Sequence, residues 1–223
     1  MTIREQISAS TVQNCVYELQ LSQLEHDENC HKDILSLPLV ERIKHMALHN
    51  AKYVGYLVDA LDAKDQVRFQ GVLTDALIIV LATANSLNQD LAEALVEANL
   101  STETLGTLGL SFADQYGRNS NDPFEFVKRY ARETGLLAKA CESLDHMENI
   151  PLSELIRQSN LTMFKLILAE AALRRLDLET LCVTVHIPPA RRRSSRAAIQ
   201  AAAMAGIGGE GRLARAAAMS EQA

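Results

Sequence analysis

The chain has 223 residues, enough for one sizeable core or two small ones. Ala and Leu dominate while Gly and Pro number only 10 and 5, a composition that favours helices over a β fold. Aromatics make up 4% and Trp is absent, which argues against a stacking platform for single-stranded nucleic acid. The formal charge of −6 is unevenly spread: from Ala190 onward six Arg face two Glu, so the tail is basic and the body acidic. Four cysteines (15, 30, 141 and 182) lack any C-x-x-C spacing, which points to thiols, mostly buried, in a reducing compartment. No apolar signal core opens the chain and no apolar run nears a membrane span, so a cytoplasmic protein without membrane contact is expected.

The first predicted helix runs from about Ser10 to His26. Val12, Cys15, Val16 and Leu19 form one apolar stripe, and Tyr17, Leu21 and Leu24 form a second, which predicts contact with two neighbours. "LSLPL" breaks the chain, and Pro38 suits the first turn of a helix through Leu61. "DAKD" turns into a third helix over Val67 to Leu87, whose "ALIIVLATA" predicts a central position. Asp90 is placed as the N-cap of "LAEALVEANL". Residues 101–122 hold three Gly among polar residues and read as a loop. Asp122-Pro123 then opens a helix to Met147, Pro151 another to Arg174, and Asp177 a short one ended by "HIPP".

The second half resembles the first. "HNAKYVGYLVDALDAKD" matches "RETGLLAKACESLDHME" at a shift of 83, and "LTDALIIVLATANSLNQDL" matches "NLTMFKLILAEAALRRLDL" at a shift of 87. The expected fold is therefore all-α, a bundle of stacked antiparallel helical hairpins. Its predicted parts are an N-terminal helix and connector (1–36), a first helical unit (37–100), a linker (101–122), a second unit (123–187) and a mobile Ala-rich basic tail (188–223). The tail suits an acidic partner, while its "RRRSSR" equally suits a phosphosite or a weak nucleic-acid contact, with no groove-reading motif for specific nucleic-acid recognition.

Three clusters carry chemistry. His45, His49 and Lys52 share one helix edge and form a candidate phosphate contact, with Lys139 added to it from the second half; a zinc site there needs a third ligand such as Asp75 or Glu41. Asp59 with Asp62, and Glu142 with Asp145, are acids at i and i+3 near a helix C-terminus. There the macrodipole disfavours them by about 0.3–1 kcal/mol, which invites a cation or an Arg from a partner. Lys64 and Lys139 are the local alternatives for that role. His26, Cys30 and His31 are donors at close spacing without a matching second pair.

"LTDALIIVLATANSLNQDLAEAL" (73–95) is similar to the second half of the MazG-like nucleotide pyrophosphohydrolase motif, and "KYVGYL" (52–57) and "RETGLL" (132–137) look like its first half. The resemblance implies an all-α, MazG-like hairpin fold that assembles as a homo-oligomer. It implies hydrolysis of a (deoxy)nucleoside triphosphate to monophosphate and pyrophosphate, with Mg²⁺, or Mn²⁺ in its place, held between facing carboxylates. On that basis Asp75 and Glu133 are the catalytic candidates, Asp59, Asp62, Glu142 and Asp145 the metal candidates, and His45, His49, Lys52 and Lys139 the substrate contacts. The match is incomplete: Lys52, Tyr53 and Tyr56 stand where the motif has Glu, Val72 replaces an acid, and Ser159 and Thr162 replace the later pair. A non-catalytic helical bundle for nucleotide binding, oligomerisation or docking is the alternative.

Overall fold

The computed structural model describes residues 11–96, 104–117, 122–146 and 151–176. Among them are eight helices and no strand: α1 (Thr11–Cys30), α2 (Lys32–Leu35), α3 (Leu39–Asp62), α4 (Gln66–Ser86), α5 (Glu93–Val96), α6 (Leu105–Gln115), α7 (Glu125–Asp145) and α8 (Leu152–Leu173). The all-helical expectation holds. The predicted helix at Asp177 and the tail lie outside the described residues.

α3 with α4, and α7 with α8, are consecutive packed helices; α3 also packs on α7 and α4 on α8, closing a four-helix core. α1 packs on α4 and α6 on α8. One continuous apolar cluster threads all of them, from Val16 of α1 through Leu57, Leu77, Phe112 and Phe126 to Phe164. Its aromatic centre sets Phe69 edge-on to Phe126, ring centroids 6.2 Å apart, with Tyr130 5.6 Å further on. Equivalent helices run antiparallel. The start of α3 meets the end of α7 through Lys44 and Asp145, and the start of α4 meets the end of α8 through Gln66 and Arg174.

The helix ends fall at the same spacings as the two sequence matches. α3 and α7 close on Asp62 and Asp145, 83 residues apart, and α4 and α8 on Ser86 and Leu173, 87 apart. Asn88 (φ 49°) and Arg175 (φ 54°) occupy equivalent left-handed positions after α4 and α8. In both turns the next N–H reaches back over five residues, Gln89 to the Ala84 carbonyl and Leu176 to that of Ala171, each at 2.9 Å. Such a turn satisfies helix-end carbonyls that would otherwise lie unpaired, and normally uses Gly.

Several expectations are corrected. The predicted linker 101–122 contains α6, whose Leu105, Leu108 and Phe112 fall at i, i+3 and i+7 and are buried. Thr104 and Thr107 cap its start reciprocally: each side-chain oxygen accepts from the other's backbone N–H, at 3.1 and 3.2 Å. On α1 the second apolar stripe is not packed away, since Tyr17 is 54% and Leu21 39% exposed. Asp122 caps from two residues further out than expected: its carboxylate accepts from the Phe124 N–H at 2.9 Å, and the helix begins at Glu125. Asp90 does accept from the Ala92 and Glu93 N–H groups at the start of α5. α4 is long and apolar enough to cross a membrane by length and composition alone, contrary to the sequence reading, yet 61% of that window is buried inside the bundle. Cys141 is buried and Cys15 half-buried, but Cys30 is exposed; Cys182 lies outside the described residues.

The turn after α4 is held by buried amides. Gln20 of α1 donates to the Gln89 carbonyl at 2.9 Å and accepts from the Leu91 N–H at 2.8 Å. Gln89 donates to the Arg157 carbonyl at 2.9 Å and accepts from Asn160 at 3.1 Å, both on α8. Arg157 returns its guanidinium to the carbonyls of Leu87 and Asn88, where the negative end of the α4 dipole lies. Gln20→Ala orphans the buried Leu91 N–H and the Gln89 carbonyl. The expected loss is about 1–3 kcal/mol per uncompensated group, read as a lower urea midpoint at unchanged slope.

α6 approaches α8 closely at Gly109, where an added Cβ would lie 2.8 Å from the Ala172 Cβ and nearer still to the Leu168 carbonyl. Gly109→Ala is therefore expected to destabilise by about 1–3 kcal/mol through overpacking. Gly135 on α7 meets nothing within 4 Å, and there the same change should stabilise by about 0.5–1 kcal/mol through helix propensity. Thermal denaturation of the two variants should move in opposite directions.

Candidate functional site

α3 carries the densest set of predicted site residues. His45, His49, Lys52 and Tyr53 follow one another at helical spacing along its edge, with Leu48 beside them 72% exposed. Nε2 of His45 and Nε2 of His49 are 3.1 Å apart, while the ring centroids are 4.6 Å apart, so these nitrogens lead the approach. On the far side of the His49 ring, Nδ1 lies 3.1 Å from Lys52 Nζ and 3.4 Å from the Tyr53 hydroxyl. The Lys52 ammonium also sits 4.7 Å above the Tyr53 ring centroid.

The chemistry of these groups sets the direction of the chain. An ammonium can only donate, so Lys52 donates to His49 Nδ1. Neutral His49 then carries its proton on Nε2 and donates it to Nε2 of His45, which must be unprotonated there. Burial, then the nearby Lys52, His45 and His31, pulls the His49 pKa down to about 4, so the ring is neutral at neutral pH. His49 therefore brings no positive charge to the expected phosphate contact at neutral pH.

The carboxylates are dispersed. Asp59 pairs with Arg68 at 3.1 Å, Glu142 with Lys139 at 3.1 Å and Asp145 with Lys44 at 2.7 Å, while Asp62 is exposed at the end of α3. Of the expected local partners Lys139 alone takes up that role, with Glu142; Arg68 in the next helix pairs with Asp59, Lys44 reaches Asp145 across from α3, and Lys64 stands in the turn with φ 53°. Because α3 and α7 are antiparallel, their two C-terminal acid pairs lie at opposite ends of that layer. A 24-residue helix is about 36 Å long. Asp75 is half-buried on α4. Glu133 is half-buried on α7, hydrogen-bonded to Ser159, with its carboxyl pKa raised by burial. Among the described residues no three His, Cys, Asp or Glu side chains stand together where they could hold one metal ion. The donor set expected for Mg²⁺ therefore does not fit, and the third zinc ligand sought from Asp75 or Glu41 is not assembled.

His26 is buried and its ring lies 5.4 Å from that of His31, edge to face. His31 is close enough to His49 to depress it, which brings the connector after α1 up to the α3 edge. Sequence spacing could not show this, because the approach is between elements. Equally unforeseen is the inward-facing pair Asn50 and Tyr130, in which the fully buried phenol donates to the amide oxygen at 2.5 Å. Burial pushes that phenol's pKa upward, so it acts as a permanent donor. A polar residue at an otherwise apolar position in each helix was the available signal.

No family model, no curated protein and no solved structure matches this chain.

The depressed His49 pKa has a defined consequence for stability. Between the ordinary value of 6.5 and about 4, the unfolded chain binds a proton that the folded chain does not. The contribution is whole above pH 6.5 and is lost as pH falls toward 4. Melting temperatures measured across that interval should fall with acidification, and His49→Gln should flatten the decline relative to wild type.

Proposed function

We propose that this chain is a non-catalytic helical module, a bundle whose role is binding or docking, rather than a working nucleotide pyrophosphohydrolase. The observation that carries this reading is the distribution of its carboxylates. Hydrolysis of a triphosphate at the α-phosphorus through Mg²⁺ requires several carboxylates converging on the ion, with a water held in line. Here Asp59 and Asp62 lie at one end of the α3–α7 layer and Glu142 and Asp145 at the other, three of the four engaged by local cations. Glu133 is turned toward Ser159. The side chains that do meet, on the α3 edge, are two imidazoles and an ammonium, with no carboxylate among them.

This reading is tested by a product assay. Purified protein is incubated with each common NTP and dNTP and with Mg²⁺ or Mn²⁺, and the nucleotide products are separated. The expected outcome is no monophosphate and pyrophosphate above the level given by an Asp75→Ala control. Turnover present in wild type and lost in Asp75→Ala would overturn the proposal in favour of a hydrolase with a rearranged metal site.

A further inference from the structure

We propose that His45 and His49 form a two-imidazole chelate for a late first-row divalent metal ion, held on the outer edge of α3 with water completing its coordination. The inference stands independently of whether the module turns over nucleotides.

The geometry comes first. Two histidines at i and i+4 place their rings over the same strip of helix surface. Their Nε2 atoms are 3.1 Å apart. An ion bonded to both at the ordinary zinc–imidazole length of about 2.0–2.1 Å would subtend an angle of about 100° at the metal, given that 3.1 Å separation. That lies between a tetragonal and a tetrahedral bite, so one ion can bridge the pair once the two exposed-edge rings turn their Nε2 lone pairs, which now share a hydrogen bond, toward it. Both rings are part-exposed, which leaves the outer coordination positions open to water. The donor type selects the metal: a pair of neutral imidazoles with water suits Ni²⁺ and Cu²⁺, whereas Zn²⁺ would need the third protein ligand, and Mg²⁺ and Ca²⁺ the oxygen donors, that this edge lacks.

Lys52 is the counterweight. Its ammonium donates to His49 Nδ1 at 3.1 Å, which keeps the His49 proton on Nε2, where the metal would bind. Binding therefore moves that proton from Nε2 to Nδ1 and breaks the Lys52 hydrogen bond. The Tyr53 hydroxyl, 3.4 Å from Nδ1, is placed to accept from it instead. The lysine's charge also opposes the incoming cation. Lys52 is exposed and its side chain long, so it can swing aside. Its removal has a predictable sign on both counts.

The test uses the full chain freed of any purification tag, titrated calorimetrically with Ni²⁺ alone in a non-coordinating buffer at about pH 7.5. Saturable binding of an ion that weakens by about tenfold or more in His45→Ala and in His49→Ala is expected, since each variant leaves a single imidazole. His31→Ala should bind like wild type, and Lys52→Gln should bind more tightly. Absence of saturable binding into the millimolar range would overturn the proposal, as would His45→Ala and His49→Ala variants that bind like wild type. Loss in His31→Ala with both others unchanged would move the site to the connector and equally overturn it. Should either alanine variant unfold, imidazole nitrogen resonances of the wild-type protein serve in its place. Paramagnetic broadening confined to His45 and His49 supports the chelate, and broadening that spares them refutes it.

Discussion

The fold depends on the need to satisfy a buried turn. The chain leaving α4 passes between α1 and α8 with Leu87, Gln89 and Leu91 buried, and there the Gln89 carbonyl and the Leu91 N–H are shut away from water. A buried unpaired backbone group costs about as much as a whole hydrogen bond gains. Gln20 meets that demand by donating to the Gln89 carbonyl and accepting from the Leu91 N–H at once. Arg157 donates to the Leu87 and Asn88 carbonyls, and the Gln89 and Asn160 side chains tie the turn to α8. Apolar packing alone tolerates helices sliding by a turn, because Leu against Leu is similar in several registers. An amide that must meet a particular carbonyl does not tolerate it. The network therefore fixes α1, α4 and α8 relative to one another, and α3, α6 and α7 take their places against that frame.

Where the helices fall was readable wherever apolar periodicity was long and bounded by turn residues. α3, α4 and α8 lie within about two residues of their predicted spans, and the repeat shifts of 83 and 87 coincide with their ends. α6 was missed because its cap and first turn use Thr and Gly, which in isolation read as loop. The apolar triad Leu105, Leu108 and Phe112 was present but thin, and Gly109 is there for close approach to α8 rather than for a turn. The opposite error arose on α1. Two apolar stripes predict two neighbours, whereas Tyr17 and Leu21 remain at the surface and the polar Gln20 and Gln23 are buried instead. Hydrophobicity ranks faces well on average, but a buried polar network reverses the ranking locally.

For the candidate site, sequence spacing located the α3 edge and could go no further. That His45, His49 and Lys52 share a face follows from the 3.6-residue period. That Lys52 donates inward, that the two Nε2 atoms meet, and that His31 lies nearby all depend on rotamers and on a second element. The carboxylate motif misled for a topological reason. Acids at matching positions of two repeats look like a pair in sequence, but a repeat related by antiparallel packing sends matching ends apart. The alignment that makes the repeat convincing is the alignment that keeps Asp62 and Asp145 from one another.

The two halves also show where specific function can reside. Inner positions correspond well: Phe69 with Ile156, Leu77 with Phe164, Val80 with Ile167 and Leu81 with Leu168 are buried in both halves at the shift of 87. Outer positions do not. At the shift of 83, His45 corresponds to Lys128, His49 to Arg132 and Lys52 to Gly135. Lys128 is held by Asp122 at 2.6 Å, an ordinary surface ion pair worth little energetically. The first half instead links Lys52, His49 and His45 in one chain along α3. Much of the apolar core is shared by the two halves, whereas the chain of polar contacts on the α3 edge belongs to one half alone and lies on its outward face. On α3 that face combines unpaired apolar area at Leu48 with two imidazoles whose nitrogens converge, an arrangement that packing and capping do not require.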